Sequence, residues 1–120
     1  MRTKGEKYTG TWRVMPQIQR TKSIIQYGNI ELDTRHRLAW CGGLPVRLTG
    51  KECALLTLFL QAPGQLFTRE ELLARVWGIS QAGALRTRTV DMHVHSLRQK
   101  LGPTARVVTV FRRGYKWEEE

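Results

Sequence analysis

The sequence predicts an α+β domain in which an N-terminal antiparallel sheet is followed by three helices and a C-terminal β-hairpin. Three observations support this fold class. Short β-prone segments separated by tight-turn pairs occupy residues 24–48, two helix-capping sequences follow, and residues 107–117 have the pattern of strand, turn and strand. The chain has 120 residues, which is enough for one domain with its own hydrophobic core.

The residues before the predicted sheet differ from it in composition. Residues 1–23 are polar, carry six Lys or Arg and one acid, and show no sustained hydrophobic period. We interpret them as a basic tail or linker, and we place the folded domain at residues 24–118. Within the domain, the pairs Gly28-Asn29 and Gly42-Gly43 suit tight hairpin turns, which predicts a meander of three or four strands.

The first two helices begin with the same sequence signature. Thr49 and Glu52 form a capping box, in which a hydroxyl at the N-cap is followed three residues later by a carboxylate, and Thr68 and Glu71 form a second one. Pro63-Gly64 ends the first helix. Apolar residues at helical spacing follow each cap: Cys53, Leu56, Phe59 and Leu60, then Leu72, Leu73, Val76 and Trp77.

A third helix and a hairpin complete the domain. A loop at residues 78–85 precedes a helix that is predicted to run from Arg86 or Thr87 to Leu101, where a Gly-Pro pair stops it. Two β-prone segments, residues 107–110 and 115–117, then flank a turn of four residues.

The third helix has a core side and a cationic, polar side. The core arc holds Val90, Val94, Leu97 and Leu101, and the opposite arc holds Arg88, Met92, His95 and Gln99, with Ser96 at its edge. The polar side suits a major groove, because Arg and Gln contact base edges and Met contacts a thymine methyl. Arg86 and Thr87 suit phosphate contacts near the helix N-terminus. The alternative is an ordinary solvated face, and Asp91 is expected to pair with Arg98 or Arg88.

Positive charge is concentrated in the N-terminal tail and in one block near the C-terminus. The net charge is +10, and residues 86–116 hold eight Lys or Arg against one acid, whereas residues 24–85 hold six against five. A charge that served solubility alone would be spread more evenly, so a polyanionic partner is indicated. Arg112 and Arg113 at the hairpin tip suit a minor groove or a row of phosphates, the alternative being an ordinary exposed turn.

Other chemistries lack the residues that they need. His93 and His95 are two residues apart on a helix, hence about 160° apart in direction, and do not share a metal. The sequence contains no phosphate-binding loop and no nucleophile motif, so we predict no enzyme, no cofactor and no metal site. Cys41 and Cys53 are interpreted as buried thiols. Without a membrane span or signal peptide in the sequence, we expect a cytoplasmic protein.

Four groups of residues occur in the order of a known family. They are Leu48-Thr49 with Glu52; Thr68-Arg69-Glu70-Glu71-Leu72-Leu73 with Val76-Trp77; Arg88-Thr89-Val90-Asp91-Met92-His93-Val94 with Leu97-Arg98-Gln99-Lys100-Leu101; and Val108-Thr109-Val110 leading to Gly114-Tyr115. With the strands before them, they span residues 24–117. This part of the chain resembles the C-terminal effector domain of the OmpR/PhoB class of bacterial response regulators, a winged helix-turn-helix fold.

The resemblance implies sequence-specific binding of double-stranded DNA for transcription regulation. It places the third helix, residues 86–101, in the major groove and the hairpin wing, residues 109–115, at the minor groove. It implies a phosphate contact for Arg88, a backbone contact for Thr109 and an RNA polymerase contact for loop 78–85, and it is compatible with a homodimer on tandem half-sites and a nucleoid-associated protein. The expected DNA-binding residues are Arg86, Thr87, Arg88, Met92, His95, Ser96, Gln99, Thr109, Arg112 and Arg113.

Three features depart from the family pattern. The family wing usually reads Thr-Val-Arg-Gly-x-Gly-Tyr, whereas here Phe111 takes the arginine position and Arg112 the first glycine. Wing contacts therefore pass to Arg112 or Arg113, or the turn is reshaped. The pair that is often basic in the middle of the third helix is His95-Ser96. No receiver domain is recognised, so we expect a stand-alone regulator or an excised effector domain, with a winged-helix protein-interaction module as the alternative.

Overall fold

The structure is a computed structural model that describes residues 23–80 and 84–119, with no side chains described at 84 and 85. The predicted tail at residues 1–23 lies outside these ranges except for Ser23, and loop 78–85 lies outside them at residues 81–83. In the described part of the chain, no helix combines the length and the apolar character that crossing a membrane requires.

A four-stranded antiparallel sheet comes first, which confirms the predicted meander. Its strands lie side by side in sequence order: β1 (Ile24–Tyr27), β2 (Ile30–Asp33), β3 (Leu38–Cys41) and β4 (Leu44–Arg47). The register sets Ile30 opposite Cys41 and Leu32 opposite Ala39, and all four residues are buried. Because side chains alternate along a strand, these residues form one face of the sheet, and that face joins the hydrophobic core.

Three helices follow the sheet. The first two begin directly after their predicted N-caps, Thr49 and Thr68, and both capping boxes are formed. The second helix passes directly into a π-helical turn, and the third begins two residues before the predicted start and is followed by a 3-10 turn. The bounds are α1 (Gly50–Gln61), α2 (Arg69–Leu72), the π-helical turn (Leu73–Trp77), α3 (Ala84–Leu101) and the 3-10 turn (Gly102–Thr104).

The chain closes with an antiparallel hairpin of β5 (Val107–Val110) and β6 (Gly114–Trp117). Phe67, between α1 and α2, pairs with Tyr115 through two backbone hydrogen bonds of 2.9 Å. A Cβ atom at Gly114 (φ +150°) would collide with the carbonyl oxygen of Phe67, so only glycine permits this approach. The hairpin is therefore held against the helical part of the domain.

The core unites the sheet, the helices and the hairpin. The rings of Phe59 and Phe67 meet edge to face at 5.9 Å between centroids, and Trp117 is 1% exposed. Trp40 and Trp77, by contrast, are half-buried. Both cysteines are buried free thiols, as predicted, and burial raises the pKa of each.

Candidate nucleic-acid interface

One long face of α3 is open to solvent, and the opposite face is in the core. Val90, Val94 and Leu97 are fully buried, as the predicted apolar arc requires. We define the open face as the exposed residues that share the other arc: Arg88, Met92, His95 and Gln99. This face presents one fixed cation, an imidazole, an amide and a thioether. Such a set contacts phosphate oxygens, base edges and thymine methyl groups.

The flank of α3 toward α1 is fixed by a buried carboxylate. Glu52 is 2% exposed, and its two oxygens accept hydrogen bonds from the Ser96 hydroxyl at 2.6 Å and the Lys100 ammonium at 2.7 Å. The backbone N–H of Thr49 donates to the same carboxylate at 2.9 Å. Burial alone would raise the pKa of Glu52, but the hydrogen bonds from Lys100, Ser96 and Thr49 outweigh it and set the pKa at about 2.

The opposite flank of α3 is fixed by Asp91. One oxygen of this carboxylate accepts hydrogen bonds from Arg69 Nε at 2.7 Å and from the Tyr115 hydroxyl at 2.6 Å. The predicted pairing of Asp91 with Arg98 or Arg88 is therefore wrong: its cation is Arg69 at the start of α2, which tertiary packing brings to α3. Burial, then the hydrogen bond to Asp91, raises the pKa of Tyr115, and the bond to Asp91 raises the pKa of Arg69.

Arg98 connects α3 to the hairpin. Its Nε donates to the Val107 carbonyl at 2.9 Å, and its Nη2 donates to the Thr109 hydroxyl at 2.8 Å. Thr109 and Tyr115 lie directly opposite each other in the β5–β6 register, so their side chains leave the same face of the ribbon. Both side chains contact α3, and the orientation of the hairpin relative to that helix is thereby fixed.

The hairpin tip is a cationic turn around an exposed ring. The Arg113 N–H donates to the Val110 carbonyl at 2.8 Å, which closes the turn. Arg112 has φ +61°, the conformation that the family's glycine would adopt without strain. Phe111 is 79% exposed, and the Arg112 guanidinium lies 5.1 Å from the centre of its ring. The tip therefore offers both positive charge and apolar surface.

The predicted site residues occupy different surroundings. Arg86 is exposed, but it lies about 160° around the helix from Arg88, outside the open face. Thr87 is buried at 8% exposure, and the Ser96 hydroxyl is bound to Glu52. Thr109 is exposed with its hydroxyl bound to Arg98. The exposed members of the predicted set are therefore the four residues of the open face, together with Arg86, Thr109, Arg112 and Arg113.

Sequence reasoning missed the residues that hold the open face in place. The capping box accounts for only part of what Glu52 does, and its position within the arc of Leu56, Phe59 and Leu60 is the missed signal when α1 is projected at about 100° per residue. A carboxylate inside an apolar arc signals a buried partner. For Arg69 the sequence carried no comparable signal, because its partner is 22 residues away on another helix.

Comparison with known proteins gives consistent matches. The family model described as "Transcriptional regulatory protein, C terminal" matches residues 43–117. The transcriptional regulatory protein CseB of Streptomyces coelicolor is 42% identical over 96 residues, which are 80% of this chain and 40% of that protein. The chain thus spans about two fifths of the length of this curated relative.

Solved structures of DNA-binding domains share the fold. The DNA-binding domain of CpxR from E. coli has a TM-score of 0.70 and 29% identity, covering 80% of this chain and 96% of that domain. The DNA-binding domain of RstA from Klebsiella pneumoniae, solved in complex with the RstA box, has the same TM-score and identity and covers 79% and 96%. The observed order of sheet, three helices and hairpin agrees with these domains and with the predicted winged helix-turn-helix.

Proposed function

Because the chain belongs to the family of C-terminal DNA-binding domains of transcriptional regulatory proteins, we propose that it binds double-stranded DNA sequence-specifically, with α3 in the major groove and the hairpin tip at the adjacent minor groove. One observation carries the proposal. The open face of α3 stays uncovered, while both flanks of the helix are fixed to the rest of the domain. An α-helix fits a major groove, and rigid mounting keeps its side chains in register with the bases.

The roles within the open face follow from its chemistry. Arg88 is the fixed cation of the open face, lies near the N-terminal end of α3 and contacts phosphate, where the helix dipole adds to its attraction. Met92, His95 and Gln99 lie further along the same face and contact base edges or thymine methyl groups. Ser96 and Thr109 act mainly as supports, because their hydroxyls already bind Glu52 and Arg98. Thr87 and Arg86 contribute at the margin of the interface.

Substitution of Arg88 tests the groove assignment. Arg88→Ala should weaken binding to all duplexes alike and reduce the slope of log K against log salt by about 1, because one phosphate contact is lost. Arg35→Ala is the matched control, since Arg35 is exposed on the turn between β2 and β3. Gln99→Ala should instead change which sequence is recovered from a pool of random duplexes. The assignment would be refuted if Arg88→Ala left the salt slope unchanged and Gln99→Ala left the sequence preference unchanged.

The same binding assay distinguishes the alternative function. A protein-interaction module would bind duplexes no better than an unrelated protein of equal charge, while capturing a protein partner tightly. The departure at Phe111 and Arg112 favours that alternative only if the hairpin tip contributes nothing to DNA affinity. Titration of the 120-residue chain on a recovered duplex at two salt concentrations separates the two cases.

Further parts of the proposal concern assembly and partners. We assign loop 78–85 to contact with RNA polymerase, in line with the family resemblance, and we propose pairing of two copies on tandem half-sites in the cytoplasm at the nucleoid. Duplexes with one and two copies of a recovered half-site test the pairing, because cooperative binding requires the second copy and its spacing. Residue exchange in loop 78–85 should reduce RNA polymerase recruitment without reducing DNA affinity.

A further inference from the structure

An apolar ring stands at the tip of the wing, away from the core. Among the exposed large hydrophobic residues of the described chain, Phe111 has the greatest exposed fraction, at 79%, and Arg112 and Arg113 follow it in the turn. We propose that Phe111 is a wedge that enters the DNA minor groove and partly unstacks one base step, so that the wing reads the flexibility of the DNA there. This inference rests on the proposed function and names a specificity-determining residue for it.

The geometry of the turn places the ring at an outer corner. Val110 and Arg113 are the first and fourth residues of a hydrogen-bonded β-turn, so Phe111 and Arg112 occupy its two corners. The positive φ of Arg112 is unfavourable for a residue other than glycine. In this conformation the Arg112 guanidinium lies over the ring of Phe111, and a cation held against the ring limits its rotation.

The support beneath the tip is rigid. Unstacking a base step is energetically unfavourable, so a wedge must not fold back when it meets the stacked bases. The strands of the hairpin are held by Arg98 from α3, by the Tyr115 hydroxyl on Asp91 and by the backbone pairing with Phe67. Two of these contacts come from α3 and the third from the segment between α1 and α2, and the ring at the tip therefore moves with the domain as one body.

The surroundings of the ring favour DNA over a protein partner. A minor groove is about 6 Å wide and strongly negative, which suits a flat ring flanked by arginines, and inserted phenylalanines kink DNA in this way in other proteins. Protein-binding hot spots instead lie within a surround of near-neutral contacts that exclude water. At this tip the Arg112 guanidinium lies over the ring of Phe111, and Arg113 follows in the turn. The ring therefore fits pyrimidine–purine steps, which unstack most easily.

The experiment uses the 120-residue chain and a pool of random duplexes. The wild type should recover duplexes with a TpA or CpA/TpG step at a fixed distance from the block that α3 reads. Phe111→Ala should keep that block, lose the preference for the step and bind about tenfold more weakly, the loss expected when one stacked ring is removed. Phe111→Leu is the matched control, because an apolar wedge remains and the step preference should be partly kept.

A spectroscopic signal reports the unstacking itself. With 2-aminopurine at the step of a recovered duplex, fluorescence should rise when the wild type binds and stay low with Phe111→Ala. Thermal unfolding should be equal for both proteins, because the ring lies outside the core. Equal step preference and equal fluorescence for both would overturn the wedge and leave duplex binding intact.

Two further outcomes separate the wedge from other possibilities. If neither protein recovers any preferred duplex, the proposed function fails and the wedge fails with it. In the other outcome, Phe111→Ala binds the duplex and raises the 2-aminopurine fluorescence as the wild type does, but is no longer retained by RNA polymerase holoenzyme. The ring is then a protein contact, and the wedge is overturned.

Discussion

Two helices of this domain begin with the same capping box, and the two boxes serve different ends. In each, a threonine hydroxyl accepts from the backbone three residues on, and the glutamate at that position accepts from the threonine N–H at 2.9 Å for Glu52 and 2.8 Å for Glu71. Glu71 is exposed. Glu52 is buried and also binds Ser96 and Lys100 of α3. The carboxylate of one capping box is thus exposed to solvent, and the carboxylate of the other fixes the helix that carries the open face.

The difference follows from where each glutamate falls relative to the apolar arc of its own helix. Glu52 lies between the directions of Phe59 and Leu60, whereas Glu71 lies about 100° from Leu72 and further still from Val76. A capping box whose carboxylate shares the apolar arc must therefore be buried, and a buried carboxylate requires further donors. The direction of the glutamate relative to the apolar arc therefore identifies which capping box also has a partner on another helix.

Substitution of Glu52, the buried glutamate of the two, should have the strongest effect on stability. Glu52→Ala should lower the free energy of unfolding by about 4 kcal/mol, because it removes a buried carboxylate that pairs with the partly exposed Lys100 and leaves the Thr49 N–H and the Ser96 hydroxyl without their acceptor. Urea denaturation at neutral pH measures the change. A loss below about 1 kcal/mol, the size of an ordinary cap, would mean that the contacts to α3 contribute no net stability.

A smaller effect should appear on acidification. The ordinary pKa of a glutamate is 4.5 and that of Glu52 is about 2, so the unfolded chain takes up this proton at a higher pH than the folded domain does. The stability that ionised Glu52 contributes to the folded domain is complete above about pH 4.5 and is lost as the pH falls toward 2. This contribution amounts to roughly 3 kcal/mol at most.

Urea midpoints between pH 6 and 2 test this dependence. In Glu52→Gln, which retains a capping side chain but no carboxylate, the part of the pH dependence assigned to Glu52 should disappear. If that variant and the wild type lose stability in parallel over the same interval, other carboxylates carry the acid sensitivity.

Local signals in the sequence were enough to predict most of the fold. Turn pairs, capping boxes and hydrophobic periods specify elements through contacts within a few residues, and for that reason the sheet, both caps and the buried arc of α3 were confirmed. The start of α3 was misplaced by two residues, since no cap box marks it. The partner of Asp91 was wrong because Arg69 reaches it only after α2 and α3 have packed.

The site was predictable as a surface and less so as a mechanism. The helical period identified which side of α3 is uncovered, and Arg88, Met92, His95 and Gln99 are exposed as expected. It did not identify what Ser96 and Thr109 contact, because their donors and acceptors come from α1 and from the other flank of α3. Small polar residues at the edge of a helical face are ambiguous in this way whenever a neighbouring helix carries a charge.

Substitution of Glu71, the exposed glutamate of the two, should change stability least. Glu71→Gln should change the free energy of unfolding by no more than about 0.5 kcal/mol, because glutamine also accepts from the Thr68 N–H and no second partner of this side chain is recorded among the described residues. The same exchange at Glu52 removes the charge that faces Lys100 and should cost several times more. Since both exchanges preserve the capping geometry, equal losses in urea denaturation would show that burial of the carboxylate does not distinguish the two boxes.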